Sequence, residues 1–476
     1  MKRIVLCTLV GLAVFFSCAV GAEARLNKGA GPVIRDKLRV IILTDIGGDP
    51  DDEESMVRFL TYCNEFDVEG LIATTRGLGK GETKRILPEK IIELVKAYGK
   101  VRENLLLHTK GYPTEQYLLD RVKVGYPCPK GEWSMKLGRQ IYRKLEELIG
   151  PDKDSEGSNW IIQAVDRADP RPLWICIWGG PSDLAQSLWR VRKTRSSAEL
   201  ARFISKIRVY AIIDQDTTGP WIRENFPDIF YIYTHPQPLG AHQGMFQEGD
   251  LSLYNEEWVR TNVLKGHGPL GKLYSRRPWK PPYIEGDTPS FLYLLPTGLG
   301  EPARPWLGCW GGRFQKQGAR QHFLGAEDHN PTSWDAGKRR QWSVARWRRA
   351  FQNDFEARMD WCVKPFAQAN HNPITTLKGD TGKKIVELTA RPGSKVKLSA
   401  VGSSDPDGDT LSYRWFLYKE AGNYPNKITI KNANAKEATV LIPDDATGRE
   451  IHIILEVTDN GKPVLYSYRR VIFKVR

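Results

Sequence analysis

Cysteine is scarce and poorly placed for cross-linking: the 476-residue chain holds seven. Cys7 and Cys18 fall in the N-terminal apolar run. The rest, Cys63, Cys128, Cys176, Cys309 and Cys362, are odd in number and widely scattered, which excludes a disulfide framework. No close Cys-x-x-Cys pair exists, which argues against a structural zinc site. Beyond Val20 no apolar run reaches the roughly 20 residues a membrane-spanning helix needs. Asp405-Pro406-Asp407-Gly408-Asp409 has alternating carboxylates but neither the glycine nor the distal glutamate of a helical calcium loop, because Thr410 and Phe416 stand there. It reads as a turn, with weak calcium binding as the alternative. An aspartate-nucleophile phosphatase, which wants Asp-x-Asp, is excluded locally because Leu43 precedes Thr44-Asp45.

The N-terminus is laid out as a secretory signal peptide over residues 1–24: Lys2 and Arg3, an apolar run from Ile4 to Val20, then small residues. This predicts an exported protein, periplasmic or secreted; Phe15-Phe16-Ser17-Cys18 leaves lipid anchoring at Cys18 as an alternative. The formal charge is +14, and +13 once Lys2, Arg3 and Glu23 are removed together. That balance favours acidic partners, but export and the dispersal of Lys and Arg weigh against nucleic acid.

The chain is organised around Leu38 to Asp52, an apolar run ending in Asp45, Asp49, Asp51 and Asp52. Val40 to Leu43 read as a buried parallel strand, and Met56, Val57, Leu60 and Cys63 as a helix with Asp51 or Asp52 as its N-cap. Strand and helix patterns then alternate: Val68 to Thr75 strand, Leu87 to Tyr98 helix, Leu105 to His108 strand, Leu137 to Leu148 helix, Trp160 to Val165 helix capped by Ser158, Leu173 to Trp178 strand. Leu184 to Val191 and Leu200 to Ile204 follow as helices, and Val209 to Ile213 and Ile229 to Tyr233 as strands. The pattern predicts an α/β domain over residues 36–369 with a doubly wound, mostly parallel sheet. Such sheets bind ligands outside the carboxyl ends of their strands. There lie the aspartate loop, Thr74-Thr75-Arg76, His108, Gly179 to Asp183 and Asp214 to Asp216.

Carboxylates packed this closely repel one another unless a cation or protons intervene, so the loop has the donors for Ca²⁺ or Mg²⁺. A long Gly-, Pro- and Trp-rich stretch from His235 to Gly337 supplies Glu285-Gly286-Asp287. Arg339 to Cys362 reads as one helix whose Arg346, Arg348 and Arg349 form a solvated face. Asn370 to Pro373 reads as a linker. Beyond it the period changes to two, in runs at 396–401, 411–418, 438–442, 451–458 and 466–475, predicting a small all-β, immunoglobulin-like sandwich over residues 380–476.

The acidic loop resembles the signature of the nucleoside hydrolases, Asp-x-Asp-x-Gly-x-Asp-Asp. Asp45, Gly47, Asp51 and Asp52 match, while Leu43 replaces the first aspartate and the loop is two residues longer, including Asp49. Gly179 to Ala185 resembles that family's Gly-Pro-x-Thr-Asn-x-Ala turn, and Glu224-Asn225-Phe226 is similar, in altered order, to its ribose-holding Glu-Phe-Asn. Thr44 to Asp52, Glu69 to Thr75, Glu285 to Ser290 and the Asp405 to Asp409 sandwich resemble more closely a bacterial branch of nucleoside-hydrolase-like proteins described as cellulose-binding. The resemblance implies a sheet of nucleoside hydrolase type and Ca²⁺ held by Asp45, Asp52, Asp287 and the Ser182 carbonyl; Asp49, in the enlarged loop, is a further ligand or simply fills that loop. It implies Asp51 as general base in hydrolysis of an N- or O-glycosidic bond, Glu224 and Asn225 on ring hydroxyls, and His242 or Trp221 beside the leaving group. The expected partner is a nucleoside-type or carbohydrate small molecule, or cellulose or another polysaccharide. The competing expectation is a non-catalytic carbohydrate binder, in which Trp306, Trp310, Trp334, Trp342 and Trp347 stack on sugars.

Overall fold

The apolar run after Lys37 forms the expected strand, Leu38–Thr44 (β1), and Val40 to Leu43 are completely buried in it. A computed structural model of the chain describes residues 37–75, 86–134, 140–235, 239–274 and 285–476; the expected leader lies outside them. On one side of β1 lie Phe66–Ala73 (β2) and then Val122–Val124 (β3). On the other lie Leu173–Ile177 (β4), Ile207–Ala211 (β5) and Phe230–Tyr233 (β6), all parallel. Phe314–Lys316 (β7) and His322–Gly325 (β8) extend the sheet to the order β3-β2-β1-β4-β5-β6-β8-β7, with β7 alone antiparallel. These last two strands lie in the stretch whose weak periodicity concealed them. Because the chain leaves β1 for β2 and β3 and returns on the far side as β4, the winding reverses between β1 and β4.

The helices following these strands are Asp51–Tyr62 (α1), Pro88–Gly99 (α2), Glu156–Asp166 (α3), Ser182–Thr194 (α4) and Thr218–Asn225 (α5). α1 is buried from Asp52 to Tyr62. α3 is capped by Ser155, with Ser158 completing the capping box, rather than by Ser158 itself.

Several expectations are corrected. Leu105 to His108 is helical, within Arg102–His108; only Leu105 is buried and Leu107 is exposed, a one-sided pattern that a central strand would not tolerate. The helix expected over 137–148 is reduced to Leu145–Leu148, preceded by a hairpin of Glu132–Ser134 with Gln140–Tyr142; Leu137 lies outside the described residues. Gly138 inside that span costs a helix about 1 kcal/mol relative to alanine. The long C-terminal helix is two, Ala336–Ala345 (α6) and Arg348–Trp361 (α7). The break places the Trp347 ring edge-on against Tyr418 and Tyr468, at 5.9 and 5.7 Å. Arg348 is buried and donates to the Gly244 carbonyl, and Arg346 pairs with Asp328 at 2.8 Å, so only Arg349 of the three is on a solvated face.

The sandwich comprises Val386–Ala390 (β9), Lys395–Ser399 (β10), Ser412–Leu417 (β11), Thr429–Lys431 (β12), Glu437–Leu441 (β13), Glu450–Thr458 (β14) and Tyr466–Val475 (β15). Its two sheets run β9-β15-β14-β11 and β10-β13-β12. β9 and β12 escaped the sequence reading because both are edge strands with exposed polar residues. The expected linker is a packed strap. Asn370 and His371 are buried; Asn370 Nδ2 donates to Asp459 at 3.0 Å, and the His371 ring lies on Phe366 and Trp361. His108 stacks in the same group, 5.3 Å from Trp361, and so belongs to the strap.

Candidate functional site

Three chain segments meet beyond the carboxyl end of β1. In the first, Pro50 takes the N-cap position of α1 and no side chain caps the helix, so Asp51 and Asp52 are its first two residues and neither serves as the expected cap. Asp52 is 2 % exposed and accepts the hydroxyl of Thr44, the last residue of β1. Asp51 is half-buried and Asp49 is exposed at the rim. The second segment follows β4. Trp178 continues the ladder onto Leu43 at 2.8 Å, and Gly179 then passes Asp45 so closely that a Cβ there would lie 2.5 Å from Asp45 Oδ1.

The third segment carries Asp287, 3 % exposed, on a turn clamped from three sides. Glu285 adopts φ +35°, in the left-handed region, and is fixed there by Arg58 of α1, whose Nε lies 2.6 Å from Oε2 and whose Nη2 donates to Oε1 at 3.0 Å. The Glu285 N–H donates to Glu54 of the same helix at 3.0 Å. Past Asp287, Ser290 donates to the Asp287 carbonyl at 2.7 Å and accepts from Trp178 Nε1 at 2.8 Å. One buried arginine and one tryptophan thus tie the third segment to the other two. Gly286 lets the turn approach Asp51 closely: a Cβ there would stand 2.7 Å from Asp51 Oδ2, so a side chain would displace that carboxylate.

The result is a cluster in which carboxylate oxygens of Asp51, Asp52 and Asp287 all lie within 4.8 Å of one another. Burial raises all three acids well above the usual carboxylate range. Asp49 and Asp45 raise Asp51 further, Asp45 and Asp51 raise Asp52, and Asp51 and Asp52 raise Asp287. Asp45, 7 % exposed, is pushed up to about 7 by burial and by Asp49, against the opposing field of Arg143. Asp287 Oδ2 is buried and has no hydrogen-bond partner among the described residues. An all-oxygen donor set, dense in negative charge and containing a buried unsatisfied oxygen, fits a hard divalent cation.

The other expected residues lie around the cluster or away from it. Ser182 opens α4, buried, with its hydroxyl 3.7 Å from Cys128 Sγ; the neighbouring Asp183 is completely buried and accepts from the Tyr126 N–H at 3.0 Å. Glu224 and Asn225 lie exposed on the last turn of α5, whose first turn is the end nearest the strand termini; Asn225 is bonded to Arg192 at 3.0 Å. Trp221, on the same helix, packs against Phe226. His242 is 1 % exposed, bonded to Thr234 at 2.8 Å, and burial pushes it down to about 3, so the ring is uncharged at neutral pH. Sequence reasoning missed Arg58, Trp178 and Arg143. Of these, only Arg58 left a signal, as a cation among the apolar positions of α1.

Residues 39–314 match the family described as "Cellulose-binding Sde182, nucleoside hydrolase-like domain", and residues 395–475 the one described as "Cellulose-binding protein Sde0182, C-terminal domain". Among solved structures, a nucleoside hydrolase-related hypothetical protein from Saccharophagus degradans, described as associated with carbohydrate metabolism, is 39 % identical. That match covers 92 % of this chain and 100 % of the other, with a TM-score of 0.75. The PKD domain from the KIAA 1837 protein is 28 % identical over 19 % of this chain and 81 % of its own, with a TM-score of 0.15. No curated protein matches the chain.

Proposed function

The chain belongs to the cellulose-binding Sde182 family with a nucleoside hydrolase-like domain, and from that premise we propose that it is an exported hydrolase of glycosidic bonds in plant-derived glycosides. The observation that carries this reading is the convergence of Asp51, Asp52 and Asp287 within 4.8 Å at the winding reversal of the sheet. Asp52 and Asp287 are buried and pinned, by Thr44 and by the clamped turn, whereas Asp51 is half-buried and open to water. Asp51 is therefore the residue that takes the proton from an attacking water, and Asp45, Asp52 and Asp287 are the residues that would hold calcium, with the Ser182 carbonyl and Asp49 as further donors. When bound, Ca²⁺ offsets the carboxylate repulsion and supplies an ordered water and a contact for sugar hydroxyls.

The substrate side departs from a nucleoside. Glu224 and Asn225 are on the wrong end of α5 to hold a ribose, and the buried, neutral His242 cannot protonate a base. These positions support an O-glycoside over a ribonucleoside. Release of sugar from a panel of aryl and plant oligosaccharide glycosides, compared with ribosides, tests the assignment: O-glycoside turnover supports it, and exclusive riboside turnover refutes it. A second reading, carbohydrate binding without turnover, is supported by the family's description and by the aromatic residues Trp342, Phe416 and Tyr466 where the sandwich meets α6 and α7.

A further inference from the structure

A groove of about 400 Å³ opens where the sandwich meets α6 and α7. Its origin is the period-two alternation of β11, β14 and β15. Trp415, Leu455 and Phe473 turn into the sandwich core, whereas Tyr418, Ile454 and Tyr468, of opposite parity, belong to the core of the α/β domain. Part of that second face is used up by the junction: Tyr418 donates to Asp328 at 2.6 Å, and Arg470 donates to the carbonyls of Leu307 and Gly308 at 2.7 and 3.1 Å. The face continues past the junction and forms one wall of the groove, with Phe416, Glu456 and Tyr466. Trp342 and Arg349 stand opposite, and the buried rings of Trp347 and Tyr468 form the floor.

Two properties of this groove select its ligand. First, Trp342, Phe416 and Tyr466 are half-buried along the groove, with the Arg414 guanidinium over one face of Phe416 at 4.6 Å, and Tyr466 lies 19° from parallel with Tyr468 at 6.4 Å. Aromatic faces presented this way suit the C–H faces of pyranose rings. Second, the arginines of the groove are matched by carboxylates: Arg346 by Asp328 at 2.8 Å, Arg414 by Glu456 at 2.9 Å and Arg349 by Asp250 at 3.5 Å. The charge is balanced in place, so the groove offers hydrogen-bonding groups to hydroxyls rather than an excess field for an anion. Its volume lies within the range of about 300–1,000 Å³ usual for small-molecule sites.

We propose that this junction groove binds a segment of an uncharged β-glucan chain, with Trp342, Phe416 and Tyr466 stacking on the sugars and Arg349, Arg414 and Glu456 bonding their hydroxyls. The proposal rests on the carbohydrate-directed reading above, but not on turnover at the carboxylate cluster. Because each module contributes one wall, the sandwich acts as half of a binding site.

Isothermal titration of the full chain with cellohexaose tests it. Tyr466→Ala and Trp342→Ala each weaken binding at least tenfold, Tyr466→Phe retains it, and both alanine variants unfold cooperatively within a few degrees of the parent. Asp51→Ala binds as the parent does, whether or not the parent shows turnover, which separates this site from the cluster. The proposal is overturned by absent binding in the parent, by unchanged affinity in both alanine variants, or by a preference for polygalacturonate. It is also overturned if binding is lost in Asp51→Ala or in a variant of the isolated exposed Trp334 while the groove variants still bind.

Discussion

Replacing Asp287 by asparagine separates a cation site from an ordinary acidic loop, because the two readings predict opposite signs. Without metal, carboxylates at the 4.8 Å limit of the cluster repel by about 3.5 kcal/mol per ionised pair at an effective dielectric constant near 20, and protonation relieves much of this. Asp287→Asn therefore stabilises the metal-free protein by about 1–2 kcal/mol. With calcium at a hundred times its dissociation constant the parent gains about 2.7 kcal/mol. For the folded unit Lys37–Arg476, at about 2.1 cal/mol/K per residue, that gain is about 3 °C in Tm. Asp287→Asn thus melts about 1–2 °C above the parent in chelator and loses most of the rise on adding calcium. Differential scanning calorimetry with and without calcium reads both changes. Loss of stability in chelator, or a calcium rise equal to the parent's, would refute the reasoning.

Two further predictions concern the scaffold. Arg58→Met leaves Glu285 buried beside an apolar side chain; breaking such a pair costs about 3–5 kcal/mol, and urea unfolding should show it. The double variant Arg58→Met/Glu285→Gln should recover part of the loss, and an equal or larger loss would contradict the pair's assigned role. His452 is completely buried, and burial, with Arg470 and Arg304, pushes it down to about 3. Its unfolded value is about 6.5. The unfolded chain therefore takes up a proton that the folded chain refuses, so this contribution is present above about pH 6.5 and is lost towards pH 3 at about 1.4 kcal/mol per unit. Relative to the parent, His452→Gln should be about 2 kcal/mol less sensitive to a change from pH 7.5 to 5; parallel losses would disprove it.

The sequence disclosed most where local pattern and burial coincide. β1 is apolar from Val40 to Leu43 because both faces of the sheet are covered there, and alternate residues of β14 and β15 fill the sandwich core. Asp51, Asp52 and Asp287 were legible as motif residues. Their meeting at one site was legible only as what the resemblance implies, and the clamp that enforces it, Arg58 reaching Glu285 across 227 residues with Glu285 at a positive φ, was not legible at all. Glu224 and Asn225 matched a motif in altered order, yet the direction of α5 carries them away from the cluster. His242 looked accessible in a Gly- and Pro-rich stretch, but its burial arises from packing that no local pattern announces. The break at Trp347 has the same character: the residues it meets, Tyr418 and Tyr468, belong to the sandwich.

The central claim, hydrolysis at a cation-filled carboxylate cluster, is tested most directly by reducing-sugar release from plant oligosaccharide glycosides by the full chain, with calcium and with chelator, beside Asp51→Ala. Turnover disappears in chelator, and the Asp51→Ala protein keeps its fold and its calcium-dependent rise in Tm but releases no sugar. Turnover indifferent to chelator, unchanged activity in Asp51→Ala, or glycan binding with no release from any substrate would contradict it.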